Sequence, residues 1–166
     1  DTQADFEKGT RTGISLRSDG QLSLAPALKE LADPSLPYLW SIAVASNGTA
    51  YFAGGPSSSK GAIYELPRNG ALRKFADIEG MNVFALALSR DGKLFAATSP
   101  DGKVYRVSNN AVDVFYDPKA KYIWSLAFHP NGDLLVATGD KGELHRVASN
   151  GTGKVWMKLD EDHIRS

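Results

Sequence analysis

The residues with the greatest capacity for chemistry are aromatic side chains that recur along the sequence. Tyr38 and Trp40 are matched by Tyr122 and Trp124, and a serine follows each tryptophan directly. An aromatic ring with a polar edge suits the recognition of a sugar or a peptide. Because the tryptophans recur with the spacing of a structural repeat, packing between repeats is the alternative interpretation. We include all four residues among the predicted ligand-binding residues.

Polar residues complete the ligand-binding set, which then also contains Lys60, Asn82, Asp101, Asp140 and Lys141. Asp101 and Asp140 occupy equivalent loops, and carboxylates from several loops can converge on Ca²⁺. Aspartate is equally typical of tight turns, so this pattern alone does not predict a metal site.

Several kinds of site are excluded or unsupported by the sequence. Cysteine is absent, which rules out disulfides, thiol nucleophiles and cysteine zinc ligands. His129, His145 and His163 lack the spacing of metal ligands. No Gly-x-Ser-x-Gly elbow or Ser/His/Asp arrangement is visible. We therefore predict no catalytic residue, no metal and no cofactor, and we favour a protein that is not an enzyme.

The elements that must position these residues form a repeat. Trp40, Phe84 and Trp124 are 44 and 40 residues apart, and between them lie Asn-Gly and Asp-Gly pairs flanked by apolar runs. Such pairs favour the two-residue turns of β-hairpins, because both central positions tolerate positive φ. Four short strands in about 41 residues, repeated along the chain, are typical of the blades of a β-propeller.

The repeat predicts an all-β chain of about three and a half four-stranded antiparallel blades in one partial propeller, residues 1–166. We assign a lone hairpin to residues 10–33, blades to residues 36–77, 80–118 and 120–160, and the start of a further blade to residues 161–166. A closed propeller needs at least four blades. We expect this chain to be part of a longer propeller, and the alternative is that copies associate to cover the exposed blade faces.

Two local departures from the repeat carry an expectation of their own. The loop at residues 54–60 is three residues longer than its counterparts, through a Ser-rich insertion at Ser57, Ser58 and Ser59 that is either a recognition loop or a solvated flap. His145 replaces the tyrosine found at Tyr64 and Tyr105, and we expect it to be a packing residue between blades.

Two sequence runs resemble known propeller repeats. ATSPDGKVYRV at residues 97–107 and ATGDKGELHRV at residues 137–147 are similar to the A-T-x-x-G-x-(I/L/V)-(Y/F)-R motif of bacterial NHL-type and two-component-regulator-type (WD-like) propellers, with one additional residue between the Thr and the Gly. The WD marks are missing, since no Gly-His pair opens a blade and no Trp-Asp pair closes one. The resemblance implies the fold and leaves protein-binding scaffolds, RNA binders, lyases and metal-dependent lactonases as functions. The lactonase pattern of inner-strand Glu, Asn and Asp is replaced here by Ser41, Ala85 and Ser125.

The amino-acid composition limits the kinds of molecule that this chain is expected to bind. Nineteen basic residues balance nineteen acidic ones, which argues against a nucleic acid or a membrane surface as partner. The apolar runs are too short for a membrane span, and a cysteine-free chain favours a periplasmic or secreted location. We predict a non-enzymatic scaffold that recognises a protein, peptide or glycan, with extracytoplasmic sensing as one use. The alternative is a lactonase-like or lyase-like enzyme completed by further blades.

Overall fold

The computed structural model describes residue 8 and residues 12–26, 29–55, 60–109 and 111–165. The chain divides into two units, Asp1–Leu31 and Ala32–Ser166. In the first unit, the described residues contain an antiparallel hairpin of β1 (Ile14–Leu16) and β2 (Leu22–Leu24). Ser57, Ser58 and Ser59, the insertion singled out above, lie outside the described residues.

The described part of the second unit consists of three antiparallel sheets, each with four strands in chain order. Blade 1 contains β3 (Tyr38–Val44), β4 (Ala50–Gly55), β5 (Gly61–Leu66) and β6 (Arg73–Ile78). Blade 2 contains β7 (Asn82–Leu88), β8 (Leu94–Ser99), β9 (Gly102–Ser108) and β10 (Ala111–Ala120). Blade 3 contains β11 (Tyr122–Phe128), β12 (Leu134–Gly139), β13 (Glu143–Val147) and β14 (Gly153–Lys158). The prediction of an all-β partial propeller with about three and a half blades is confirmed.

The hairpin turns form where the sequence places an Asn-Gly or Asp-Gly pair. Gly92 and Gly132 have φ values of 80° and 94°, a left-handed conformation that glycine adopts without steric cost. The amide of Gly132 donates to the carbonyl oxygen of His129 at 2.8 Å, which closes the turn between β11 and β12. These turns connect the first two strands of blades 2 and 3, so their residues lie at the opposite end of those strands from Asn82 and Tyr122.

Two hydrophobic clusters fill the junctions between adjacent blades. One joins Ala53 and Ile63 of blade 1 to Leu86, Leu94 and other residues of blade 2. The second cluster continues the same arrangement from blade 2 to blade 3 through residues such as Phe95, Val104, Ile123, Leu134 and Val136. Burial of apolar area at these two junctions is the main force that holds the blades face to face.

The remaining face of blade 1 is exposed where its counterparts are buried. Leu39 and Ile42 are 50% and 60% exposed, whereas Val83 and Leu86, the equivalent residues of blade 2, are 0% and 8% exposed. A sheet normally buries an apolar face against another layer. No helix among the described residues is long and apolar enough to cross a membrane.

Candidate functional site

The aromatic candidates lie on the inner strands β3, β7 and β11 and form one contiguous row. We define the aromatic ribbon as Tyr38, Trp40, Phe84, Trp124 and Tyr122. Tyr38 stacks on Trp40 with ring centroids 5.4 Å apart, and Tyr122 stacks on Trp124 at 5.3 Å. Phe84 joins the two stacked pairs, at 4.8 Å from Trp40 and 5.2 Å from Trp124. Aromatic contact is therefore continuous across three blades.

Each central ring of the aromatic ribbon occupies a β-bulge. The pairing register shifts between Leu39 and Ser41, and it shifts at the same place around Phe84 and Trp124. A bulge leaves one residue outside the ladder and redirects its side chain. The three rings therefore project from equivalent places, which explains why they meet across blade boundaries.

Serine hydroxyls join adjacent blades close to these bulges. The hydroxyl of Ser41 accepts a hydrogen bond from the amide of Leu86 at 3.0 Å. The Ser99 hydroxyl accepts from the Ile123 amide at 3.1 Å and donates to the Ile123 carbonyl oxygen at 3.3 Å. Because Ile123 directly precedes Trp124, this pair of bonds fixes the backbone from which the Trp124 ring projects.

The indoles of Trp40 and Trp124 each donate a hydrogen bond to a residue that follows their own blade in the sequence. Trp40 Nε1 donates to Asn82 Oδ1, and Trp124 Nε1 donates to His163 Nδ1, each at 3.3 Å. His163 forms an antiparallel bridge with Gly139, and the Arg165 guanidinium lies 5.4 Å from the centre of a Trp124 ring. The bond from Trp124 to His163 thus matches the bond from Trp40 to Asn82.

The charged candidates gather in a separate shallow cavity between blades 2 and 3. This cavity, about 420 Å³ in volume, is lined by Asp101, Asp140, Lys119, Lys121 and neighbouring residues. Asp140 Oδ1 accepts a hydrogen bond from the Lys121 amide at 3.1 Å, and Lys141 Nζ donates to the Lys119 carbonyl oxygen at 2.6 Å. The Lys121 ammonium is 5.1 Å from the centre of the Tyr122 ring, so the cavity adjoins the aromatic ribbon.

Opposite charges in this cavity are partly neutralised by each other. Lys119 Nζ lies 2.6 Å from Asp117 Oδ2, and this hydrogen bond lowers the pKa of the Asp117 carboxyl below its usual value. The tyrosine hydroxyl of Tyr122 is the main cause of a raised pKa at Lys121, which remains protonated at neutral pH. The arrangement supplies hydrogen-bonding groups of both kinds beside the rings.

Lys60 is not brought together with the other candidates. Its ammonium lies 3.9 Å from the carboxylate of Glu79, in the connection between blades 1 and 2. The structure therefore joins Tyr38, Trp40, Asn82, Tyr122 and Trp124 in one row, with the charged residues of the blade 2–3 cavity beside them and Lys60 apart.

His145 lies between blades, in agreement with the expectation of a packing residue. It is 3% exposed, its Nδ1 lies 2.8 Å from the hydroxyl of Tyr116, and its Nε2 lies 3.2 Å from Glu143 Oε2. One neutral tautomer, with the proton on Nε2, satisfies both contacts. Burial lowers the pKa of His145 and outweighs the opposing effect of the Glu143 carboxylate.

Three neighbours of the site were missed by the sequence prediction. Phe84 completes the aromatic ribbon, and its place in the repeat with Trp40 and Trp124 was the available signal. His163 and Arg165 follow Tyr122 and Trp124 at a spacing close to that of the repeat. Neither residue is a Tyr, Trp or Phe like its counterparts in the blades. Among the described residues, no group of three or more His, Asp or Glu residues is arranged to hold a metal ion.

Comparison with known proteins supports the fold. The family described as WD domain, G-beta repeat, matches residues 110–156. None of the curated proteins has a matching sequence. The virginiamycin B lyase of Staphylococcus aureus is similar in structure, with a TM-score of 0.64 and 12% identity over 89% of this chain and 48% of that one. A gluconolactonase of Xanthomonas campestris has a TM-score of 0.59 and 20% identity, over 86% of this chain and 54% of that one.

An extracellular bacterial domain is also similar in structure. The extracellular domain of a one-component system from B. thetaiotaomicron has a TM-score of 0.56 and 17% identity, over 89% of this chain and 21% of that one. The chain spans about half the length of the lyase and gluconolactonase structures it matches. Blades, bulges and comparisons together show that this chain is a β-propeller repeat protein, similar in fold to bacterial propellers.

Proposed function

We propose that this chain is a non-enzymatic propeller module that binds a glycan through the aromatic ribbon. The observation that supports this proposal is the presence of two stacked ring pairs, Tyr38 on Trp40 and Tyr122 on Trp124. We call each pair a platform, and Phe84 connects the two platforms. Trp40 is 44% exposed and Tyr38 is 55% exposed, so these rings retain free surface after they have packed on each other.

The chemistry of a sugar matches this surface. A pyranose ring has apolar C–H faces that can stack on an aromatic ring and hydroxyl groups around its edge. Ligand sites combine such apolar area with a few placed polar groups. Asn82 beside Trp40, and Lys121 and Asp140 beside Tyr122, supply donors and acceptors at the edge of the aromatic ribbon.

The test is binding to a glycan array, followed by calorimetric titration with a sugar that binds. Trp40→Ala should weaken that binding about tenfold through the loss of one ring. Trp156→Ala is the matched control, because Trp156 is 46% exposed, occupies the outer strand β14 and lies outside the aromatic ribbon. Binding of peptides but no sugar, or an equal loss in both variants, would contradict the proposal.

A lyase-like or lactonase-like enzyme, with a site completed by further blades, is the second candidate. It is favoured by the similarity to the virginiamycin B lyase and gluconolactonase structures, of which the chain spans about half. The two candidates differ in an assay of acid release from gluconolactone by a longer protein that contains this chain and the further blades. The binding module releases none above the uncatalysed rate, whereas turnover that scales with protein concentration supports the enzyme.

We further infer that the chain belongs to a larger propeller in an extracytoplasmic protein. Blade 1 has an exposed apolar face with Leu39, Ile42 and Val44, which supports a further sheet that covers it. The similarity to an extracellular domain supports the extracytoplasmic location. The solution mass of the 166-residue chain separates the two ways of covering this face. A monomer supports further blades in a longer chain, and a defined oligomer supports association of copies.

A further inference from the structure

We infer that the ligand of the aromatic ribbon is a linear oligosaccharide of at least three sugar rings that lies across the inner strands from blade 1 to blade 3. This inference rests on the proposed glycan-binding function and adds the minimum length and the direction of the ligand. It derives from the arrangement of the rings across the three blades.

The aromatic ribbon contains the same platform twice. Tyr38 and Trp40 have an interplanar angle of 19°, and Tyr122 and Trp124 have one of 14°, at nearly equal centroid distances. The two pairs occupy equivalent positions of strands β3 and β11. The second pair is half-buried, because His163 and Arg165 also contact Trp124, so it offers a sugar ring a smaller surface than the exposed first pair does.

Phe84 makes the two platforms continuous. Its ring contacts Trp40 at 4.8 Å with a tilt of 34° and Trp124 at 5.2 Å edge-on. A single sugar ring is about the size of one aromatic ring, so a monosaccharide on Trp40 leaves the Tyr122–Trp124 platform unused. A chain of three rings can place one ring near each of Trp40, Phe84 and Trp124.

Polar groups beside the central blade and beside blade 3 fit the hydroxyls of such a chain. Asn82 Oδ1 accepts the Trp40 indole proton, and among the described residues its amide nitrogen has no hydrogen-bond acceptor. Beside blade 3, His163 Nδ1 accepts from Trp124 Nε1, and the Asp140 amide lies 3.4 Å from the same nitrogen. In that neutral tautomer His163 carries its proton on Nε2, which is a further donor.

Linked contacts predict how affinity depends on ligand length. Once one sugar ring is bound, the next ring binds at a high effective concentration. We expect the dissociation constant to fall about tenfold from one sugar ring to two and again from two to three, which is about 1.4 kcal/mol for each step. Beyond three rings the aromatic ribbon of the described blades is covered, and the constant should change little.

The experiment is isothermal titration calorimetry of the full chain with one to six linked units of a sugar selected on the glycan array. Trp40→Ala and Trp124→Ala should each remove one step of the length dependence. Trp40→Phe keeps a ring and should keep all steps, which distinguishes ring contact from a folding defect. Trp156→Ala should behave as the unaltered chain.

The outcomes separate the two proposals. Equal affinity for one sugar ring and for three refutes the oligosaccharide inference and leaves glycan binding intact. Binding of no sugar on the array refutes both. A length dependence that survives in both Trp40→Ala and Trp124→Ala also refutes the inference, because the added affinity would then come from another surface.

Discussion

Ser99 offers a sharp test of how the blades are joined. Its hydroxyl is the hydrogen-bond partner of both the amide and the carbonyl oxygen of Ile123, and it is 1% exposed. Ser99→Ala removes the hydroxyl and leaves these two groups without that partner, at a place that water cannot readily enter. An unsatisfied buried donor costs about 1–3 kcal/mol, so we expect a loss of about 2 kcal/mol in the free energy of unfolding.

Ser41→Ala is the matched control for this substitution. The Ser41 hydroxyl makes one bond across the equivalent junction, to the Leu86 amide, and Ser41 is only half-buried. Water can replace the lost hydroxyl there, so a loss of about 0.5–1 kcal/mol is expected, the net value of one hydrogen bond.

Urea denaturation followed by circular dichroism measures both losses. The midpoint should fall in each variant while the slope with denaturant stays unchanged. At about 2–4 °C for each kcal/mol in a chain of this size, Ser99→Ala should lower the melting temperature by about 4–8 °C. If Ser99→Ala lowers the free energy of unfolding by less than about 0.5 kcal/mol, the buried Ser99 bonds do not hold blades 2 and 3 together. A loss for Ser41→Ala that equals the loss for Ser99→Ala would also refute this reasoning.

Three further predictions concern glycine sites and a buried histidine. Gly142→Ala should destabilise the chain by more than Gly92→Ala in urea denaturation, because a Cβ at Gly142 overlaps a backbone carbonyl whereas Gly92 has open space, and both have positive φ. The free energy of unfolding should decrease from pH 7.5 to 5.5, because the pKa of His145 is lower in the folded chain and the unfolded chain therefore binds more protons near pH 6.5. His145→Gln should remove this contribution to the dependence of the free energy of unfolding on pH. Gly139→Ala should change the tryptophan emission spectrum, because a Cβ there collides with the indole of Trp124; an unchanged spectrum would contradict the close approach.

The sequence was sufficient to predict the blades because their determinants are local. Asn-Gly and Asp-Gly turns set the hairpins, and the apolar runs between them form strands. Lys119, which lies between the assigned blades at residues 80–118 and 120–160, is part of strand β10 and has a φ of 57°. Its carboxylate neighbour Asp117 holds it there through a side-chain bond and a backbone bond.

The contacts of the candidate site could be predicted only in part. The equivalence of Trp40 and Trp124 was visible as a spacing, but a spacing does not reveal whether rings from different blades touch. That depends on the bulges, which arise from pairing register and have no residue signature in this chain: the bulged residues are Trp40, Phe84 and Trp124, flanked by ordinary strand formers. The rings of Trp40, Phe84 and Trp124 pack on one another across the blades, and the binding proposed for them remains a prediction.

The aromatic ribbon and the blade junctions depend on the same short stretches of backbone, which links binding to stability. Ile123 is held by Ser99 on one side of the blade 2–3 junction, and the next residue, Trp124, carries a central ring. A ligand that contacts Trp40, Phe84 and Trp124 together can do so only while all three blades are docked. Such a ligand binds the folded arrangement alone and stabilises it by mass action, by about 2.7 kcal/mol at a hundred times its dissociation constant. A ligand of one ring lacks contacts across both junctions, so its stabilising effect arises from a single platform and does not require blades 1 and 3 to be docked at the same time.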